Sequence, residues 1–104
     1  MKYRKEKDTM GTVLVPETAY YGPQTQRAAE NFPIGDLKLP ASFIHALALV
    51  KKCAARVNQE LGLLDSKLAD AIAAAAQEIV DGQFGGQFVV NVFQTGSGTS
   101  TNMN

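Results

Sequence analysis

The feature that most constrains this fold is an apolar stripe. Phe43, Leu47, Val50, Ala54, Val57 and Leu61 recur at alternating spacings of four and three, the repeat that places side chains on one face of an α-helix. It predicts a long helix from Ser42 to Leu61 that buries Phe43, Leu47, Val50 and Val57. Pro40 stands at its start and Gly62 just past its end, as helix entry and exit prefer. A second helix is predicted from Ser66 to Asp81, capped by Asp65 or Ser66, with Leu68, Ile72, Ala75 and Ile79 on one face and Gly82 at the exit. The two are expected to pack antiparallel. Ala71 and Ala73 to Ala76 bury little area and favour close helix contact, so the pair is expected to need further neighbours.

The flanks are shorter. Gly11 to Pro16, β-branched around Thr12, Val13 and Val15, reads as a strand closed by Pro16. Gly22 and Pro23 mark a turn, with Pro23 opening a short helix from Gln24 to Asn31 that Pro33 and Gly35 end. A loop follows through Leu39, and Val89 to Phe93 reads as an extended run. The expected class is mainly α, with short strands near the N-terminus.

At 104 residues the chain amounts to at most one domain. Ten basic and ten acidic residues leave a formal net charge of +0, so no bulk field draws it to nucleic acid or anionic lipid. Any binding must be local. Met1 to Asp8 mixes Lys2, Arg4, Lys5 and Lys7 with Glu6 and Asp8, with no apolar run behind, which speaks against a secretory signal. No stretch has the length and apolarity of a membrane span. Cys53 is the single cysteine and cannot form an internal disulfide, which leads to a cytoplasmic expectation.

Local binding points to the tail, Phe93 to Asn104. Gly96 and Gly98 permit positive φ and close approach of backbone to ligand, while Thr95, Ser97, Thr99, Ser100 and Thr101 offer hydroxyls and amides in one short span. A helix starting after Gly98, capped by these Thr and Ser residues, would add unpaired N–H groups that favour an anion. A carboxylate suits such a loop. A Walker-type loop needs Lys after its second glycine, where Thr99 stands, and a dinucleotide fingerprint needs glycine at the position of Thr101.

Other candidates are weaker. His45, the single histidine, shares a helix face with Lys52 and Gln59, away from the stripe, and reads as a solvated surface residue. Cys53 lies beside the stripe and reads as a small buried hydrophobe. Lys51, Lys52 and Arg56 make a hydrated basic face. One His and one Cys cannot build a metal site of the usual kind.

Taken together, these residues resemble the N-terminal part of class II fumarases, in the fumarase/aspartase superfamily. The likeness starts with Arg4, Glu6, Asp8 and Gly11, continues through Val15-Pro16, Tyr20-Tyr21-Gly22, Gln24-Thr25, Arg27 and Asn31-Phe32, and ends on Thr95-Gly96-Ser97-Gly98-Thr99 followed by Asn102-Met103-Asn104. It covers nearly the whole chain. It implies that residues 1–104 are the N-terminal lyase domain, without the central helical bundle and C-terminal domain, of a cofactor-free, homotetrameric enzyme that reversibly hydrates fumarate to malate. The resemblance also implies that each active site combines loops from three subunits. The resemblance assigns Ser97, Gly98 and Thr99 to a substrate carboxylate, with Asn102 in support.

Abstracting a proton α to a carboxylate requires a positioned base, and the aci-carboxylate that forms needs donors around it. The family supplies its serine from a mobile Gly-Ser-Ser loop and its histidine from another segment, neither matched here. No catalytic residue is therefore assigned, and the chain is expected to be an inactive remnant of a longer enzyme. Aspartases replace Thr95 and Ser97 by small residues without hydroxyls and Gln24 by histidine, so the fumarase likeness is the better one. Phe93 and Ser100 stand where many fumarases carry Trp and Gln, which leaves the substrate open at this stage. A non-catalytic helical interaction module is the alternative from another class, and an encoded continuation after Asn104 would decide between them.

Overall fold

The computed structural model describes residues 1–31, 37–91 and 98–104. They fall into two compact units, one formed by Met1–Leu39 with Gly86–Asn104 and the other by Pro40–Gly85.

The first unit is built on an antiparallel hairpin of β1 (Tyr3–Asp8) and β2 (Gly11–Pro16), in register from Tyr3 opposite Pro16 to Asp8 opposite Gly11. Val13 and Val15 are buried on one face of β2, and with Ala19 and half-buried Tyr21 they form a small core. β1 was not anticipated, because its residues are charged at nearly every position. What makes it a strand is its alternation. Arg4, Glu6 and Asp8 turn to the same face as Val13 and Val15, while Tyr3, Lys5 and Lys7 face out. Arg4 donates from Nη1 to the carbonyls of Pro16, Glu17 and Ala19 at 3.0, 3.0 and 2.7 Å, and from Nη2 to that of Tyr21 at 2.8 Å. Its Nε donates to Glu6 Oε1 at 2.8 Å. One guanidinium thus organises the irregular segment after β2, where the backbone has no ladder to satisfy its carbonyls.

Helix α1 (Pro23–Asn31) begins at the expected proline and packs on both strands. Pro33 and Gly35 lie outside the described residues. Beyond them, Lys38 forms an isolated antiparallel bridge with Asn91, so the expected run from Val89 is represented by this bridge, and Val92 and Phe93 lie outside the described residues. A 3₁₀ turn spans Gly85–Gln87.

The second unit is a helical hairpin of α2 (Ala41–Glu60) and α3 (Ser66–Val80). Its limits follow the sequence signals: Pro40 is the N-cap of α2, Gly62 has φ +75° behind it, and Asp65 caps α3 by accepting from the N–H groups of Lys67 and Leu68 at 3.0 and 3.3 Å. Arg56 pairs with Asp70 and Lys52 with Gln77, at 2.6 Å each, so the helices run antiparallel.

The faces in contact differ from the expected ones. Ala48 and Ala55 of α2 and Ala69, Ala73 and Ala76 of α3 are buried, whereas Phe43, Val50 and Val57 are 49%, 63% and 52% exposed and Leu47 is half-buried. On a helical projection the large stripe of α2 lies nearly opposite Ala48 and Ala55. The Leu68–Ile72 face of α3 lies about a quarter turn from its alanines. Small side chains let the two backbones approach closely, and the bulky stripes are left outside the hairpin. For the same reason His45, beside Lys52 and Gln59 on the face bordering α3, is half-buried rather than fully solvated, and Cys53 is exposed rather than buried.

Candidate functional site

Helix α4 (Thr99–Met103) starts directly behind Gly98, where the chain reverses with φ +75° and ψ 9°. This left-handed conformation costs glycine little. The helix expected after Gly98 is present, and Thr95 and Ser97, two of the residues read as possible caps, lie outside the described residues. Gly98 itself is the N-cap, with no side-chain hydrogen bond, and its carbonyl accepts from the Asn102 N–H at 3.0 Å. Thr99 and Asn102 are both exposed, one helical turn apart on the same face. Three of the four expected site residues, Gly98, Thr99 and Asn102, therefore sit together. Ser97, with Thr95 and Gly96, lies outside the described residues.

α4 packs against α1, and a cavity of about 270 Å³ opens between them. Gln24, Arg27, Ala28 and Asn31 line it from α1, a spacing of three, four and seven residues that puts all four on one helix face. Thr99, Ser100 and Met103 line it from α4, and Met10 from the hairpin turn. The wall is mixed, with Met10, Ala28 and Met103 beside Gln24, Arg27, Asn31, Thr99 and Ser100, and its one charged side chain among the described residues, Arg27, is paired. Arg27 Nε donates to Asp8 Oδ2 at 2.7 Å and its Nη2 to the Gly11 carbonyl at 3.1 Å. Gln24 Nε2 donates to the same Asp8 oxygen at 3.2 Å. The Arg27 hydrogen bond, helped by the Met10 N–H and by Arg27's charge, holds the Asp8 carboxyl below its ordinary pKa against the opposing effect of desolvation. Arg27 is pushed above its own ordinary value by the same hydrogen bond.

The far end of α4 is fixed twice. Thr25, which is buried, donates its hydroxyl to the Met103 carbonyl at 3.4 Å. The Asn104 side chain accepts at Oδ1 from the N–H groups of Val89 and Val90 at 3.0 and 3.3 Å, and donates from Nδ2 to the Gln87 carbonyl at 2.9 Å. The sequence reading placed none of Gln24, Arg27, Asn31 or Asn104 in a site. For the first three the available signal was their spacing along one face of α1, and for Asn104 it was the Asn102-Met103-Asn104 run that carries the resemblance.

A model of a lyase family matches residues 11–104. The chain belongs to that lyase family. Among its relatives, the class II fumarate hydratase of Halobacterium salinarum is 56% identical over 102 residues, covering 98% of this chain and 22% of the relative. The class II fumarate hydratase of Mycobacterium tuberculosis is 59% identical, with the same coverages. The crystal structure of recombinant class II fumarase from Schistosoma mansoni is similar with a TM-score of 0.92 at 40% identity, covering 97% of this chain and 22% of that one. The chain thus spans about a fifth of the length of these relatives, in their N-terminal part. The resemblance read from the tail and the Arg4–Gly11 segment holds, and so does the mainly helical class with short N-terminal strands.

Proposed function

We propose that residues 1–104 form the N-terminal lyase domain of a fumarate hydratase that converts fumarate and malate reversibly, and that Gly98, Thr99 and Asn102, with Ser97, hold a carboxylate of the dicarboxylate substrate. The observation that carries this reading is the left-handed turn at Gly98, which sets exposed Thr99 at the head of α4 and at the wall of the cavity. Hydroxyl and amide donors hold an anion without fixed charge, each such hydrogen bond contributing about 1.5–3 kcal/mol. They are suited to binding rather than proton removal, so the base and the donors for the aci-carboxylate come from other parts of the enzyme. The segment is inactive alone, and the enzyme works in the cytoplasm as a homotetramer. The exposed Phe43–Val50–Val57 stripe supports assembly with further helices.

The test places residues 1–104 in the Mycobacterium tuberculosis enzyme in place of its matching segment. The assembled hybrid is expected to hydrate fumarate, and Thr99→Ala and Ser97→Ala to lower kcat/KM roughly tenfold to a hundredfold with little change in melting temperature. Stable variants with unchanged kinetics would remove the carboxylate-binding role.

A further inference from the structure

The Asn104 side chain uses both ends of its amide on one short backbone stretch. It accepts from Val89 and Val90 and donates to Gln87, while its own N–H donates to the Ser100 carbonyl of α4 at 3.0 Å. The stretch it grips is firmly held: Val90 and Asn91 are 4% and 2% exposed, Gln87 Oε1 accepts from the Tyr20 N–H at 2.7 Å, and Lys38 Nζ donates to the Val89 carbonyl at 2.6 Å. Residues 87–91 precede the glycine-rich segment and α4 follows it. Asn104 therefore ties the chain entering that segment to the helix leaving it. Thr99 stands at the other end of α4, separated from Asn104 by the four residues Ser100–Met103.

We infer that Asn104 is a positioning residue for substrate binding, locking α4 against residues 87–91 so that Thr99 is held where it meets the carboxylate. The inference rests on the reading of Thr99 as a carboxylate ligand. Asn104 touches no substrate. Its loss loosens the placement of a ground-state ligand, which raises KM more than it lowers kcat.

The experiment measures fumarate hydration by the assembled hybrid enzyme with Asn104→Ala, Asn104→Asp and Thr99→Ala. Asn104→Ala is expected to raise KM about tenfold with kcat within about threefold of the parent. Asn104→Asp, which keeps the acceptor for Val89 and Val90, is expected to return KM to within about threefold. If Asn104→Ala does not assemble, Asn104→Gln, whose amide is displaced by one methylene, is expected to raise KM in its place. An unchanged KM in the variant that assembles, a loss confined to kcat, or a raised KM that Asn104→Asp does not relieve overturns the inference. If KM rises for Thr99→Ala but not for the Asn104 variants, only the positioning role falls. If it does not rise for Thr99→Ala either, the carboxylate reading falls with it.

Discussion

Arg27 on α1 and Asp8 at the end of β1 are joined by a 2.7 Å hydrogen-bonded ion pair whose side chains are only 21% and 7% exposed. The pair links the hairpin turn to the helix that lines the cavity, and Gln24 shares the same carboxylate oxygen. Pairs on open surfaces contribute little, but this carboxylate is largely covered and accepts from three groups.

The pair makes the first unit acid-sensitive. Asp8 titrates below its ordinary value in the folded chain, so its stabilisation is complete above the unfolded pKa and is lost as pH falls through the folded one. Thermal unfolding from pH 7 downward should show Asp8→Asn below the parent at neutral pH, with the gap closing as pH drops beneath the aspartate range. A gap independent of pH would mean that the ion pair does not set the acid limit.

Arg4 is expected to be the most costly substitution in β1. Arg4→Ala strips hydrogen bonds from four backbone carbonyls, and should destabilise the chain by about 1–3 kcal/mol in chemical denaturation. Arg4→Lys should recover little, because a single ammonium cannot reproduce the planar fork that reaches Ala19 and Tyr21 together. Full recovery by lysine would show that charge, rather than the fork, is what the segment needs.

The helical hairpin makes opposite demands at adjacent positions. Ala69 is fully buried and Leu68 is 57% exposed, so Ala69→Leu should cost about 1–3 kcal/mol by overpacking. Leu68→Ala should stay within about 0.5 kcal/mol. Denaturation midpoints of the two variants decide it, and a larger loss at Leu68 would mean that the large stripe, not the alanine face, carries the hairpin.

Much of this architecture is legible in the sequence, because the helices are punctuated by residues whose backbone chemistry acts locally. Pro23 and Pro40 open helices, Asp65 caps one, and Gly62 and Gly82 close them with positive φ. What the sequence hides depends on partners distant along the chain. β1 is a strand because Arg4, Glu6 and Asp8 answer Val15, Val13 and Gly11 across the hairpin, and none of its own residues announces that. The stripe through Phe43, Val50 and Val57 is a real helix face, but periodicity says only that a face is apolar, not which neighbour covers it. The site divides the same way. The hydroxyls and glycines near Gly98 are readable, whereas Gln24, Arg27 and Asn31 join them only because α1 packs on α4.

Gly98 allows two physical reasons for being glycine to be separated. Its φ of +75° is unfavourable for a residue with a Cβ, at roughly 1–2 kcal/mol, and asparagine tolerates it better than alanine. Among the described residues a Cβ built there meets nothing within 4 Å, so steric conflict with them is not a reason. That open space is where a carboxylate approaching Thr99 would pass on the proposed reading. Gly98→Ala should therefore lower stability by about 1 kcal/mol and Gly98→Asn by less, whereas in the hybrid enzyme both should raise KM for malate, since each places a side chain in the ligand's path. Melting curves and kinetics on the same two variants separate the effects. If Gly98→Asn restored KM along with stability, glycine would be required for the turn alone, and close approach of the substrate to this backbone would be ruled out.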